Sequence, residues 1–159
     1  MTEKKYDLEE RLIIKGFKFK QKTGTTSIAA GATHCVFTRN VFECAPLNSG
    51  SKPYLNVSGD DNELSYNTFQ NKTDEGQMIS VQGPGGDKMA KRTWIHHNYF
   101  FNFPPTANNC SAIQIGLSGR SMYSAFCVVE YNLFINPWPG KYVIFYSNGR
   151  RMNLNRVIS

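Results

Sequence analysis

The stretch "RTWIHHNYFFN", Arg92 to Asn102, decides the fold, because its centre recurs along the chain. Written as apolar-x-x-Asn-x-apolar, "IHHNYF" (Ile95, Asn98, Phe100) matches "FTRNVF" (Phe37, Asn40, Phe42) and "LSYNTF" (Leu64, Asn67, Phe69). It also matches "VEYNLF" (Val129, Asn132, Phe134) and "MNLNRV" (Met152, Asn155, Val157). "IKGFKF", Ile14 to Phe19, reads as an earlier copy with Phe17 in the asparagine place. The steps between those places are 23 (17 to 40), 27 (40 to 67), 31 (67 to 98), 34 (98 to 132) and 23 (132 to 155). A constant unit with variable insertions is a repeat architecture.

Leucine-rich repeats share the shortest step, but the leucine consensus is missing, and helical repeats need longer units with helical periodicity. A parallel β-helix fits: each coil gives short strands, and insertions leave at the turns. Alternate side chains of each strand point inward. In "VEYNLF" that fills the interior with Val129 and with Leu133 or Phe134, and leaves Glu130 outside. The asparagine is expected at a bend, bonded to its counterpart in the next coil, with phenylalanines at equal places stacked in a ladder. Further strands are expected at "YLNVSG" (54–59), "MISVQG" (78–83), "SAIQIG" (111–116) and "YVIFYS" (142–147), forming a second sheet. "CAPLNSGSKP", "NKTDEG", "GPGGDKMAKR" and "FPPTANNC" are then insertions, the segments that carry binding in solenoids.

Composition agrees. The chain has 159 residues, 13% of them aromatic and only 19% charged. A chain of this length buries roughly 70% of its unfolded surface, so a real core is expected. The net charge is +6, and after Glu130 no acidic residue follows while Lys141, Arg150, Arg151 and Arg156 do. That end suits a polyanion: nucleic acid, anionic lipid or acidic polysaccharide. No groove-reading motif supports nucleic acid. No apolar run approaches the roughly 18 residues of a membrane span. Cys35, Cys44, Cys110 and Cys127 lack C-x-x-C spacing, so zinc is not expected. Two disulfides are permitted, but buried free thiols are the expectation.

"NELSYNTFQNKTDEGQMISV" (62–81) and "WIHHNYFFNFPPTANNCSAIQIGLSGRSMYSAFCVVEYNLFINPWPG" (94–140) resemble polysaccharide lyase family 6, which holds the alginate lyases and chondroitinase B. The resemblance spans roughly Leu12 to Ser159. It implies a right-handed, single-stranded parallel β-helix of the pectin-lyase-like type, about six coils, as one domain over 1–159 with coils from about residue 12. It implies cleavage of uronate-containing polysaccharide by β-elimination, and a secreted or periplasmic location, although "MTEKKYDLEERL" carries no apolar signal core. The chemistry needs the uronate carboxylate neutralised, a base for the C5 proton and an acid for the leaving oxygen.

In the family, calcium on one Asn and two Glu neutralises the carboxylate, a Lys is the base and an Arg the acid. Here Asn108 or Asn109 matches the asparagine. Lys141 and Val143, or Tyr142 and Ile144, take the glutamate places. The base position falls on Asn148 or Gly149, and the acid position falls beyond Ser159. Calcium wants six to eight oxygens, so no calcium or other cofactor is expected. Lys141 is the candidate to pair with a uronate carboxylate in the metal's place, the alternative being a solvated turn lysine. Arg150 or Arg151 is the candidate for the base, although arginine stays protonated at neutral pH. Candidate substrate contacts are Lys72, His97, Asn108, Gln114 and Arg120. Tyr99, Trp94 and Trp138 are candidate sugar platforms or core aromatics. Two other functions stay open: a module that binds acidic polysaccharide without cutting it, and a structural solenoid. The cut ends of such a solenoid expose strand edges, so end-to-end self-association is expected, with residues 1–12 as a polar cap.

Overall fold

The computed structural model describes residues 12–21, 25–44, 53–72, 76–85, 88–102, 111–116, 123–135, 141–145 and 156–158. Every element among them is a strand, and three parallel sheets run the length of the chain. Sheet I stacks Ile13–Lys15, Val36–Thr38, Glu63–Ser65, Trp94–His96, Val128–Glu130 and Arg156–Ile158. Sheet II stacks Lys18–Gln21, Val41–Cys44, Thr68–Gln70, Tyr99–Phe101 and Leu133–Ile135. Sheet III stacks Thr26–Ile28, Leu55–Val57, Gln77–Val81, Ser111–Ile115 and Lys141–Phe145. The chain visits sheets I, II and III in turn and climbs one layer per visit: among the described residues, a parallel β-helix of five three-strand coils with the sheet I strand of a sixth.

The asparagine bend is what makes a tight corner between sheets I and II. The residue before each asparagine is left-handed: Arg39, Tyr66, His97 and Tyr131 have φ of 55°, 55°, 53° and 52°. Gly16 (φ 79°) takes that place in the first coil, where left-handed backbone carries no Cβ penalty. The asparagines compensate this backbone cost. Asn67 Oδ1 accepts from Asn40 N (3.0 Å) and Nδ2 (3.1 Å). Asn98 Oδ1 accepts from Asn67 N (2.9 Å) and Nδ2 (3.0 Å), and Asn132 Oδ1 from the same two atoms of Asn98. Each Nδ2 also donates to a strand carbonyl of the coil before, as Asn98 does to Leu64 O at 2.8 Å. Asn40 Oδ1 likewise accepts from Phe17 N at 3.0 Å, so the first copy keeps the register without an asparagine.

The phenylalanine ladder is present. Phe19, Phe42, Phe69, Phe100 and Phe134 stack at centroid distances of 4.8, 4.7, 5.1 and 4.9 Å. Phe37, Leu64, Ile95 and Val129 fill the interior from sheet I, and Leu55, Val57, Ile79, Val81, Ile113 and Ile115 fill it from sheet III. Phe134, not Leu133, is the inward residue of its strand; Leu133 is exposed.

Two expectations are corrected. The last motif copy is out of register: Val157 pairs with Val129, so it takes the first apolar place and not that of Phe134. Pairing follows the inward row of sheet I, which a pattern with only two apolar positions does not fix. The segment 83–92 is also more than an insertion, since Met89–Lys91 pairs in parallel with Tyr123–Ala125.

The corner from sheet III to sheet I holds a second left-handed row, His34, Asp61, Arg92 and Phe126. Gly59 lies beside it. A Cβ there would sit 1.9 Å from Ala32 O and 2.9 Å from Ala29 O, both backbone atoms that cannot rotate away. Gly59→Ala is therefore expected to destabilise the protein by at least the ~1–3 kcal/mol of ordinary overpacking. A urea midpoint equal to that of the parent protein would contradict this.

Candidate functional site

The outer side of sheet III is where the family resemblance places chemistry. Its register aligns Asn56, Ser80, Gln114 and Ile144 in one row across four coils. Ile79, Val81, Ile113 and Ile115 belong to the core, Met78 and Ala112 are fully buried with them, and Ser80 and Gln114 are buried between them. Val143 pairs with Ile113 and packs against the core. Both candidate pairs, Lys141 with Val143 and Tyr142 with Ile144, lie in this strand, where Lys141 pairs with Ser111 and Ile144 with Gln114. Neither pair offers a carboxylate. A hard divalent cation requires oxygen ligands, and the paired strands Ser111–Ile115 and Lys141–Phe145 contain the amide of Gln114 and no carboxylate. The calcium of the family therefore does not fit the residues at these positions.

Gln114 is 2% exposed, and its Nε2 donates to Gly116 O at 2.9 Å. Lys72 is 3% exposed, with Nζ 5.1 Å from the Tyr54 ring centroid. Both lie beneath the surface, so they can shape a binding face from below more readily than they can touch a ligand on it. Asn108, Arg120, Arg150 and Trp138 lie outside the described residues.

His97 stands elsewhere, at the exposed corner between sheets I and II. Its ring stacks on Tyr66 (5.0 Å, 21°) and lies 5.3 Å from Tyr131, forming an aromatic row along the helix axis. Rings stacked in this way cover one another's faces, so the row presents edges and is no flat platform for a sugar. Trp94 gives one face to His96 at 3.8 Å, and its indole N–H donates to Glu130 Oε1 at 2.9 Å. Tyr99 is half-buried beside Phe101.

The sequence reading missed His96. It is 5% exposed, and its Nδ1 shares a hydrogen bond with His97 Nδ1 at 2.8 Å. Its Nε2 lies 3.3 Å from Glu63 Oε1, near enough for charge attraction but not aligned as a hydrogen bond. Burial pushes the imidazole below the ordinary histidine value, against the pull of Glu63 and with the push of His97. The signal was available: the motif register puts Ser65, His96 and Glu130 on one outward row of sheet I.

The sign of the linkage follows. Below about pH 6.5 the unfolded chain binds a proton at this histidine that the folded chain resists. Stability from His96 is present above the unfolded value and is lost as pH falls below it. The urea midpoint is expected to drop between about pH 7.5 and pH 5.5, and His96→Gln to flatten that part of the slope. An unchanged slope in the variant would contradict the assignment.

Among the described residues, Cys35 and Cys127 are buried, with the Cys127 thiol pushed up to about 11 by burial. No group of three or more His, Cys, Asp or Glu among them is placed to hold a metal ion. None of the described residues forms a helix long and apolar enough to cross a membrane.

Stacked three-strand coils and an asparagine ladder define a parallel β-helix. The family model for chondroitinase B matches residues 11–144, well over half of the chain. The chain belongs to the chondroitinase B family. Neither the curated proteins nor the solved structures contain a match to it.

Proposed function

We propose that this chain acts on uronate-containing acidic polysaccharide, alginate or chondroitin and dermatan sulfate, and cleaves it by β-elimination. The observation that supports this most is the family match over residues 11–144, carried on an unbroken stack of coils. The +6 net charge favours such a polymer. In the reaction a base removes the C5 proton, the electron pair forms the C4–C5 double bond, and the C4–O bond breaks with protonation of the leaving oxygen. Charge neutralisation falls to Lys141, and Arg150 is the candidate for the base. Asn108 and Arg120 are the proposed sugar contacts, Lys72 and Gln114 support them from below, and His97 is a contact only for a polymer that reaches its corner.

A second reading has its own observation. No carboxylate stands at 141–144, and the base position carries an amide or a glycine, which favours binding without cleavage. Ultraviolet absorbance of the unsaturated product separates the two. The test uses excess protein on alginate, dermatan sulfate and chondroitin sulfate, with and without chelator. Absorbance that grows and survives the chelator is the result expected of a calcium-independent lyase. A flat trace on every polymer would overturn cleavage and leave binding.

A further inference from the structure

A cleft of about 730 Å³ opens at the corner between sheets III and I, away from the outer face of sheet III. One wall comes from the adjoining turns of the first two coils, holding Gly31, Ser58 and Asp60, and the other from the excursion of the third coil that carries Pro84, Lys88, Met89 and Lys91. The volume lies within the roughly 300–1,000 Å³ of small-ligand sites. Both walls are fixed. Met89–Lys91 is held by pairing with Tyr123–Ala125, and Gly59 is packed against the carbonyls of Ala29 and Ala32.

The charge of the described lining residues is unbalanced, with two lysines against one aspartate. Asp60 is the one carboxylate among its described lining residues, and it is already engaged. Its Oδ1 accepts the Lys91 backbone N–H at 2.9 Å, and its Oδ2 lies 3.6 Å from the Arg92 guanidinium. Arg92 is in turn paired with Asp61. Neither the Lys88 nor the Lys91 ammonium has a carboxylate partner among the described residues. Lys88, Lys91, Ser58, Pro84 and Met89 line one concavity. That combination suits a sugar ring bearing an anionic group: the ring's C–H face on the apolar wall, and the anion on the lysines.

We propose that this cleft is a binding subsite for an anionic sugar unit, carboxylate or sulfate ester, that anchors the polymer beside the lyase face. The proposal rests on the acidic-polysaccharide reading above and adds a second point of contact to it. The test is calorimetric titration with alginate oligosaccharides, which carry carboxylate alone, and with chondroitin sulfate oligosaccharides, which carry both anions. Three proteins are compared: the parent, Lys88→Gln/Lys91→Gln, and Lys15→Gln/Lys20→Gln, which removes the same charge at exposed positions of the first coil.

The cleft variant is expected to bind about tenfold or more weakly, and the first-coil variant within about twofold of the parent. Loss on alginate fragments assigns the subsite to carboxylate, and loss confined to the sulfated fragments assigns it to sulfate. Equal losses in both variants, or none in the cleft variant while the parent binds, would overturn the cleft and leave the polysaccharide reading standing. A parent protein that binds neither polymer would overturn that reading, and the subsite with it. Should the double variant unfold, Lys88→Gln alone, at an exposed position, carries the same comparison.

Discussion

Replacing Asn98 with alanine is expected to cost roughly 3–5 kcal/mol, a large part of the ~5–15 kcal/mol that holds a typical domain together. Asn98 is buried at the centre of the ladder. Its Oδ1 is the acceptor for Asn67 N and Nδ2, and its Nδ2 donates to Leu64 O, His96 O and Asn132 Oδ1. Alanine leaves the Asn67 N–H and the Leu64 carbonyl buried without those partners, and each such group costs about 1–3 kcal/mol. The left-handed turn at His97, with φ of 53°, also loses the bonds that offset its strain. Asn98→Asp restores the acceptor but not the donor, and buries a charge, so it is no rescue. Asn132→Ala should cost less, because Asn132 is only half-buried. Urea denaturation of the three variants checks the order. A loss below about 1 kcal/mol for Asn98→Ala would mean that the ladder decorates the corner and does not hold it.

Phe69→Ala is the second large effect. The ring is fully buried and stacked between Phe42, at 4.7 Å and 5°, and Phe100, at 5.1 Å and 9°. Truncating a buried phenylalanine costs about 3–5 kcal/mol in transfer and cavity terms. Losing aromatic contacts on both faces adds about 0.5–1.5 kcal/mol for each pair. Position matters as well. In a solenoid each coil contacts only its neighbours, so a hole in a middle coil weakens the coupling between the two halves. The thermal transition of Phe69→Ala is expected to broaden as well as to move down. Phe69→Leu, which keeps most of the volume, should move the midpoint by less than half as much and stay sharp. Equal effects of the two substitutions would contradict the stacked-ladder account.

The fold was legible wherever a position demands one residue type. Asn40, Asn67, Asn98 and Asn132 occupy a corner that needs both an acceptor and a donor, and Phe42, Phe69 and Phe100 fill one column of the interior. Such positions repeat by identity, and repetition is visible in one sequence. The final copy was misread because Asn155 and Val157 satisfied the pattern by chance, while pairing is decided by which residue enters the sheet I column. Outward positions carry no such demand. Glu63, Trp94, His96 and Glu130 share a face only once the register is known, and none of them repeats. Lys72 reads as a candidate substrate contact in the sequence, yet it is buried over the ring of Tyr54, a contact across eighteen positions (54 to 72) that no local pattern carries. The cleft is harder still, because its walls come from turns of three successive coils.

The central claim is that this β-helix recognises acidic polysaccharide. Its most direct test is calorimetric titration with alginate and dermatan sulfate oligosaccharides against a neutral glucan of equal length, at low and high salt. The account predicts binding to both acidic polymers, weakening as salt screens the contacts, and none to the neutral glucan. Binding of the glucan as tight as that of the acidic polymers, or no heat with any of the three, would contradict it.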